Sequence, residues 1–415
     1  MKKVYVYTNT NCRRRLIDSK KVQLYFFKNN FKIVNHPKEA DFVIYITCAY
    51  RDEITNSTLE KIKELQKYNG ELIVAGCLPL IEEQKLFKIF KGKTISTKDI
   101  EKIDNLFPKN KIKFSSISDA EAISEIQNIF LSEENYLLKN YPILNKYYNS
   151  FREFLISKIL NKHLLIYLSP TKPEFYHVRI SWGCFGNCSY CGIKKAIGPL
   201  KSKPFQDCIN EFEKGLKSGY KTFVITADDV GAYGIDIGYD FPTLLDKFTN
   251  FEYEYEISVQ DLDPRWIVKY IDKLEPIFKK GKITSVNIAL QSGCSKILKL
   301  MNRYSEIDKI KEALIRLRNV SDKLSFDMHF IIGFPTETYD DFLKTIEFIK
   351  KIGFDMGFIY RFSSKTDTVA EKIKPKVSND EINYRIQSAK QLLKDYRYKV
   401  ISISKNNFYT FYKTK

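Results

Sequence analysis

Over the first hundred residues, short apolar runs rich in β-branched and aromatic residues alternate with longer stretches of mixed polarity. KVYVYT at 3–8, FVIYI at 42–46 and ELIVA at 71–75 read as strands, and 18–29 and 52–68 read as helices. Strand and helix in alternation predict a small parallel α/β domain over 1–97. Residues 98–175 lack strong strand signals; 126–160 are helical in pattern and rich in Tyr and Phe, and the Pro-containing SPTKPEF follows. This segment reads as a helical connector, whose aromatic stripe suits core packing better than a base-stacking platform. A second alternation occupies 176–375, with strands near 177–183, 221–226, 254–259, 284–290, 325–332 and 355–361 and helices such as 205–218, 264–274, 305–318 and 338–352. Six such units fit a partial (β/α)6 barrel. A helix at 379–398, with Ser378, Asn379 and Asp380 as caps, and the basic-aromatic tail SKNNFYTFYKTK complete 376–415.

The length of 415 residues exceeds what one core organises, in keeping with two modules. Aliphatic, aromatic and Cys residues at 44% and charged residues at 28% exclude a disordered or collagen-like chain. The opening MKKVYVYTNTNC has no continuous apolar segment of the signal-peptide kind. No uncharged apolar stretch approaches the roughly 18 residues of a membrane helix, so a cytoplasmic protein with no membrane partner is expected. A net charge of +18 would attract a polyanion such as RNA in a salt-dependent way. Lys, Ile, Asn, Phe and Tyr are abundant together, however, as AT-rich coding also produces.

Cysteines stand at 12, 48, 77, 184, 188, 191, 208 and 294, and without an export signal they point to metal or redox chemistry rather than disulfides. Cys184, Cys188 and Cys191 form a C-x3-C-x2-C loop, WGCFGNCSYCGIKK, directly after the first strand of the second module. Three thiolates can hold three irons of a 4Fe-4S cube and leave the fourth open. An open iron can chelate an amine and a carboxylate, both of which S-adenosylmethionine offers. One low-potential electron then splits its sulfonium to a 5′-deoxyadenosyl radical. A zinc knuckle is the structural alternative, but it needs a fourth ligand, and His36, His163, His177 and His329 are all distant in sequence. Cys12, Cys48 and Cys77 each follow a predicted strand within a few residues. Loops beyond the carboxyl ends of parallel strands share one edge, so these thiols can converge on another metal site. Cys208 and Cys294 have no partner at ligand spacing and read as buried thiols.

WGCFGNCSYC before a six-unit barrel resembles the radical-SAM superfamily. ITADDVGAYGIDIG at 225–238, LQSGCSKILKLMNRYS at 290–305, IIGFPTETYDDF at 331–342 and YRFSSKTDTVA at 360–370 are similar to segments of its methylthiotransferases. So are Cys12 before Asp18-Ser19, Ala40-Asp41 before Thr47-Cys48, and Gly76-Cys77. The resemblance covers about 1–95 and 175–375. It implies an N-terminal parallel α/β cluster-binding domain followed by a partial (β/α)6 radical-SAM barrel, with two 4Fe-4S clusters and S-adenosylmethionine. The Cys184, Cys188 and Cys191 cluster would generate the radical that abstracts hydrogen from an unactivated carbon. The Cys12, Cys48 and Cys77 cluster would hold a sulfide that a second S-adenosylmethionine methylates and that is then delivered to that carbon. A low-potential electron donor and a sulfur source are needed.

Further roles follow from the resemblance. Tyr190 would pack near the adenine, or simply in the core. Asp228 and Asp229 would meet the methionine ammonium, or serve as loop and cap residues. Gln260, Gln291 and Ser292 lie just beyond later strands, on the edge where barrel enzymes bind ligands, and Gly333-Phe334-Pro335 makes a tight turn there. The chain departs from the family at Arg15 and Ile46, where Asn is usual, and at His329, where Asp is usual. Members that modify tRNA end in a small β-barrel RNA-binding domain, which this chain is expected to lack. The leading expectation is methylthiolation of a hypermodified adenosine in tRNA, of the threonylcarbamoyladenosine type that AYGIDIG suggests. The alternatives are a peptide or ribosomal protein side chain as substrate, or a non-catalytic metal-stabilised RNA-binding protein.

Overall fold

In the computed structural model the described residues are 1–8, 12–122, 175–404 and 408–413. They form two compact units, 1–177 with 195–197, and 178–194 with 198–415.

The first unit holds strands β1 (Lys3–Tyr7), β2 (Lys32–Ile33), β3 (Phe42–Thr47), β4 (Glu71–Gly76) and β5 (Lys93–Ser96) in the order β2-β1-β3-β4-β5, every pair parallel. Parallel strands need crossovers, which helices Arg13–Lys28 and Asp52–Leu65 supply. Val4 and Val6, Ile44 and Ile46, and Ile73 and Ala75 alternate onto one face of the sheet, where they meet Val22, Tyr25 and Phe26 of the first helix. Ile103, Phe107, Phe114, Ile117 and Ala122 enter the same core. The domain therefore runs past residue 97. These apolar residues sit on short helical turns without a sustained period, which is why they read as connector. The rest of the predicted connector, 123–174, lies outside the described residues.

The second unit is built on an eight-stranded sheet. Its strands are β6 (Phe175–Arg179), then, after the small antiparallel ribbon β7 (Ser181–Trp182) with β8 (Lys201–Ser202), β9 (Thr222–Thr226), β10 (Glu256–Leu262), β11 (Ile283–Gln291), β12 (Ser325–Ile332), β13 (Met356–Arg361), β14 (Tyr398–Ser404) and β15 (Phe408–Lys413). The order is β14-β15-β13-β12-β11-β10-β9-β6. From β9 to β13 all neighbours are parallel and in chain order, with helices between them, as a partial (β/α)6 barrel requires. The end of the chain differs from expectation. Helix Asn379–Lys394 stops short of 398, and the residues read as a tail form the antiparallel hairpin β14–β15 alongside β13. FYTFYK is rich in residues that favour strands, with buried Tyr409 and Phe411 two residues apart, and Tyr398 packs edge-on against Phe411 at 5.6 Å. Among the described residues no helix is long and apolar enough to cross a membrane.

Helix Tyr339–Ile352 starts with a capping box in which Thr338 and Asp341 satisfy each other's backbone N–H groups. Asp341 also accepts from Lys296 and from the Cys294 thiol. Burial pushes this carboxyl up, but those donors outweigh it and hold it at about 2. Its stabilising effect is therefore complete above its ordinary value of 3.8 and is lost as pH falls towards 2. Asp341→Asn is expected to be less stable than the native chain at pH 7 and to show a flatter loss of stability between about pH 4 and 2. Urea unfolding across that window measures it, and parallel pH profiles would refute it. Thr338→Ala should cost about 1 kcal/mol at neutral pH.

Candidate metal centres and cofactor edge

In the first unit β1, β3 and β4 are neighbours, and their loops leave from the same end of the sheet. Cys48 directly follows β3 and Cys77 directly follows β4, while Cys12 precedes helix Arg13–Lys28. Gly76 makes the turn into Cys77 at φ +104°, and a Cβ there would fall 2.4 Å from the Thr47 carbonyl oxygen. The Cys77 N–H donates to that same carbonyl at 3.1 Å, and Thr47 Oγ1 donates to Ala75 O at 2.6 Å. The two adjacent cysteine segments are thus tied together.

Cys12 and Cys48 are hydrogen-bonded to each other. That bond, with Arg14 and Arg15, lowers the Cys12 thiol against the effect of burial. Cys48 is raised as the donor of the bond, by burial and by the charges of Cys12 and Cys77. The thiolate, which is the ligating form, is therefore favoured at Cys12, while Cys48 holds the shared proton. Arg15, buried at 2% exposure, brings Nη1 to 3.6 Å from Cys77 Sγ, donates to Thr97 and pairs with Asp18 at 3.0 Å. Thr97 Oγ1 lies 3.5 Å from the same sulfur.

In the second unit Cys184, Cys188 and Cys191 form the loop between β7 and helix Ile193–Ile197. Gly183, at φ +69°, leads into it, and a Cβ there would fall 1.9 Å from the Pro199 carbonyl oxygen. The Lys194 ammonium spans the loop, donating to the carbonyls of Cys184 and of Gly186, the latter at 3.0 Å. Ser189 fastens its far side to Leu300 O and Met301 O at 2.7 and 2.9 Å. Burial raises Cys184 and Cys191; the Asp229 carboxylate adds to this at Cys184, and neighbouring cysteine charges add to it at both. Among the described residues no three His, Cys, Asp or Glu side chains converge as on one bare ion. A cube has a different demand, since its protein ligands grip different irons.

The residues predicted around this loop fall into distinct places. Asp228 Oδ2 accepts from the Gly183 N–H at 3.1 Å and so holds the loop entrance. Asp229 accepts from Trp266 Nε1 at 2.8 Å and lies 3.8 Å from Cys184 Sγ. Burial and the charge of Asp263 push it up to about 6 against Arg265, Trp266 and Arg303. Tyr190 packs against the cluster of Cys294, Met301 and Phe334, with its hydroxyl 3.4 Å from Arg303. Gln260 is buried and donates to Ser258 Oγ at 2.6 Å, and Gln291 ends β11 at φ +79°. Ser292 is fully buried. Its hydroxyl accepts from the Cys294 N–H at 3.1 Å and lies 3.4 Å from Thr345, so it braces the turn beneath the edge rather than lining it.

Sequence reading missed the charged frame of this edge. Arg303, 6% exposed in its side chain, contacts Cys188 Sγ at 3.3 Å and pairs with Asp263 at 2.8 Å. Asp263 also receives Arg265 at 2.9 Å. Arg303 stands within the MNRYS segment, yet nothing in its spacing reveals a contact 115 residues away. Further along the strands, Asn287 and Asp327 are register partners, and Asn287 Nδ2 donates to Asp327 at 2.9 Å and lies 3.0 Å from His329 Nε2. His329 meets Phe358 and Tyr360 edge-on.

Residues 178–349 match the Radical SAM superfamily, and residues 3–96 match the uncharacterized protein family UPF0004. A probable threonylcarbamoyladenosine tRNA methylthiotransferase of Methanocaldococcus jannaschii is 30% identical, over 90% of this chain and 78% of that protein. The chain belongs to the radical-SAM methylthiotransferases. A tRNA-2-methylthio-N(6)-dimethylallyladenosine synthase of Thermodesulfovibrio yellowstonii is 28% identical to this methylthiotransferase, over 92% and 81% of the two chains. The radical S-adenosylmethionine methyltransferase TsrM of Kitasatospora setae shares its fold, with a TM-score of 0.56 at 10% identity over 89% of this chain and 77% of that one. This methylthiotransferase is a sulfur-inserting enzyme that uses S-adenosylmethionine and a 4Fe-4S cluster.

The loop after β7 closes only because residue 183 has no Cβ. Gly183→Ala is expected to leave the far-ultraviolet circular dichroism intact and to remove about four irons per chain after anaerobic reconstitution. Undiminished iron would show that the loop tolerates a side chain there.

Proposed function

We propose that this enzyme methylthiolates a hypermodified adenosine of the threonylcarbamoyl type in tRNA, and that it does so with two 4Fe-4S clusters. Cys184, Cys188 and Cys191 would hold one, and Cys12, Cys48 and Cys77 the other. The observation that carries the reading is a second three-thiol edge, at the ends of β3 and β4 and the start of the first helix, in a chain aligned over 90% of its length with a relative named for that substrate.

When bound, the first cluster supplies the electron that cleaves S-adenosylmethionine, and the second supplies a place for the sulfur to be transferred. The chain's own groups orient and insulate. Asp228 keeps the cysteine loop closed through Gly183. Asp229 presents a carboxylate beside Cys184, suited to an ammonium group. Gln291, at the end of β11, and Tyr190, in the cysteine loop, would border the ligand edge, with Gln260 buried inside β10 behind it. A net charge of +18 favours a polyanionic substrate and predicts binding that weakens with salt. A low-potential electron donor and a sulfur source complete the reaction.

Iron analysis after anaerobic reconstitution tests the cluster assignment. About eight irons per chain should fall to about four in the triple variant Cys12→Ala, Cys48→Ala, Cys77→Ala. About four in both would remove the second cluster and the sulfur-inserting role assigned to it. For the substrate, reconstituted enzyme with reductant, sulfide and S-adenosylmethionine should convert threonylcarbamoyladenosine in tRNA to its methylthio form, read by mass spectrometry of the nucleoside digest. An unchanged digest from enzyme that still cleaves S-adenosylmethionine would redirect the search to a peptide or protein substrate.

A further inference from the structure

We propose that Arg15 is a redox-positioning residue of the N-terminal centre, holding the midpoint potential of the Cys12, Cys48 and Cys77 cluster above what the same cysteines would set alone. The inference rests on the reading that these cysteines bind a cluster.

Arg15 is in the first turn of helix Arg13–Lys28, where a long cationic side chain ordinarily extends into water. Here it is 2% exposed and turned towards a ligand sulfur. Nη1 reaches 3.6 Å from Cys77 Sγ, within range of an N–H···S contact, and the same nitrogen donates to the Thr97 hydroxyl. Thr97 itself stands 3.5 Å from that sulfur, and Asp18 fixes Nη2 at 3.0 Å. Three side chains thus determine the orientation of the fork. A desolvated arginine is costly unless its surroundings answer it. A cube with thiolate ligands gains negative charge when reduced and would be such a surrounding.

Donors to ligand sulfurs and nearby positive charge stabilise the electron-rich state, and at a buried site water screens them little. Arg15 does both to Cys77. The Asn expected at this position from the family resemblance is short and neutral and could do neither at that reach. The barrel edge offers a built-in comparison, because Arg303 touches Cys188 Sγ at 3.3 Å while paired to Asp263 at 2.8 Å. Among the described residues each candidate centre therefore has a buried arginine side chain against a sulfur, Arg15 against Cys77 and Arg303 against Cys188.

The test is an anaerobic redox titration of the reconstituted full-length enzyme, followed by electron paramagnetic resonance, with iron content measured on the same samples. The transition that persists in the Cys12→Ala, Cys48→Ala, Cys77→Ala triple variant belongs to the Cys184, Cys188 and Cys191 cluster and serves as internal reference. Arg15→Met is expected to lower the other midpoint by at least about 59 mV, one tenfold step for one electron, and to leave the reference in place. Arg15→Lys, which keeps the charge without the fork, should recover part of the shift. Full iron content with an unmoved midpoint overturns the proposal. If Arg15→Met loses iron, the same titration on Arg15→Gln decides, and loss of iron from both makes Arg15 a structural strut and overturns it too. Native enzyme that binds only about four irons removes the N-terminal cluster, and with it both the underlying reading and this inference.

Discussion

Parallel pairing is the constraint on which the rest of this structure depends. A strand that lies parallel to its neighbour must be reached by a crossover, so every loop that follows a strand opens at the same edge of the sheet. In the first unit the adjacency of β1, β3 and β4 turns three cysteines scattered over 66 positions into one edge, two of them directly at strand ends. In the second unit the same rule places the Cys184 loop, Asp228 and Asp229 beyond β9, Asp263 beyond β10 and Gln291 at the end of β11 on one rim. Neither arrangement needs a dedicated scaffold, because the crossovers that bury the apolar strand faces also gather the polar loop residues.

Charge is the second theme. Both thiol sets are largely removed from water, which favours protonated sulfur and opposes ligation. Cations stand against the sulfurs: half-buried Arg14 and buried Arg15 near Cys12, Arg15 also on Cys77, and Arg303, its side chain buried, on Cys188. Such cations would themselves be costly if unanswered, and carboxylates hold them in place, Asp18 for Arg15 and Asp263 for Arg303. Asp263 also serves Arg265, while Asp229 beside it is pushed up by burial and then by that like charge. Within the second unit Arg303, Asp263, Arg265 and Asp229 thus alternate in charge along its rim.

Local pattern carried much of this. The long barrel strands and their helices are continuous enough in period to read directly, and β12 was anticipated at the bounds observed, 325–332. Legibility ended where elements are short or their partners remote. β2 and β5, KI and KTIS, are too brief and too polar to stand out. The segment 103–122 contributes Phe107 and Phe114 to the first core from irregular turns. The terminal hairpin was obscured because its aromatics fall in adjacent pairs, Phe408-Tyr409 and Phe411-Tyr412, without the alternation of a half-buried strand. Ser292 shows another limit, since proximity to a strand end in sequence does not say that its hydroxyl is buried against the Cys294 N–H.

By itself, then, the sequence determined the cysteine spacing of the barrel loop, the alternation that makes both sheets parallel, and the order of motifs that marks a methylthiotransferase. These properties depend on neighbours a few residues apart, through backbone periodicity and ligand reach. Only the tertiary structure decided which charges meet the sulfurs. Arg15 finds Cys77 and Thr97 62 and 82 positions away, and Arg303 finds Cys188 across 115. Such contacts are set by strand order and helix packing, and their strength comes from desolvation that exists only once the core has closed.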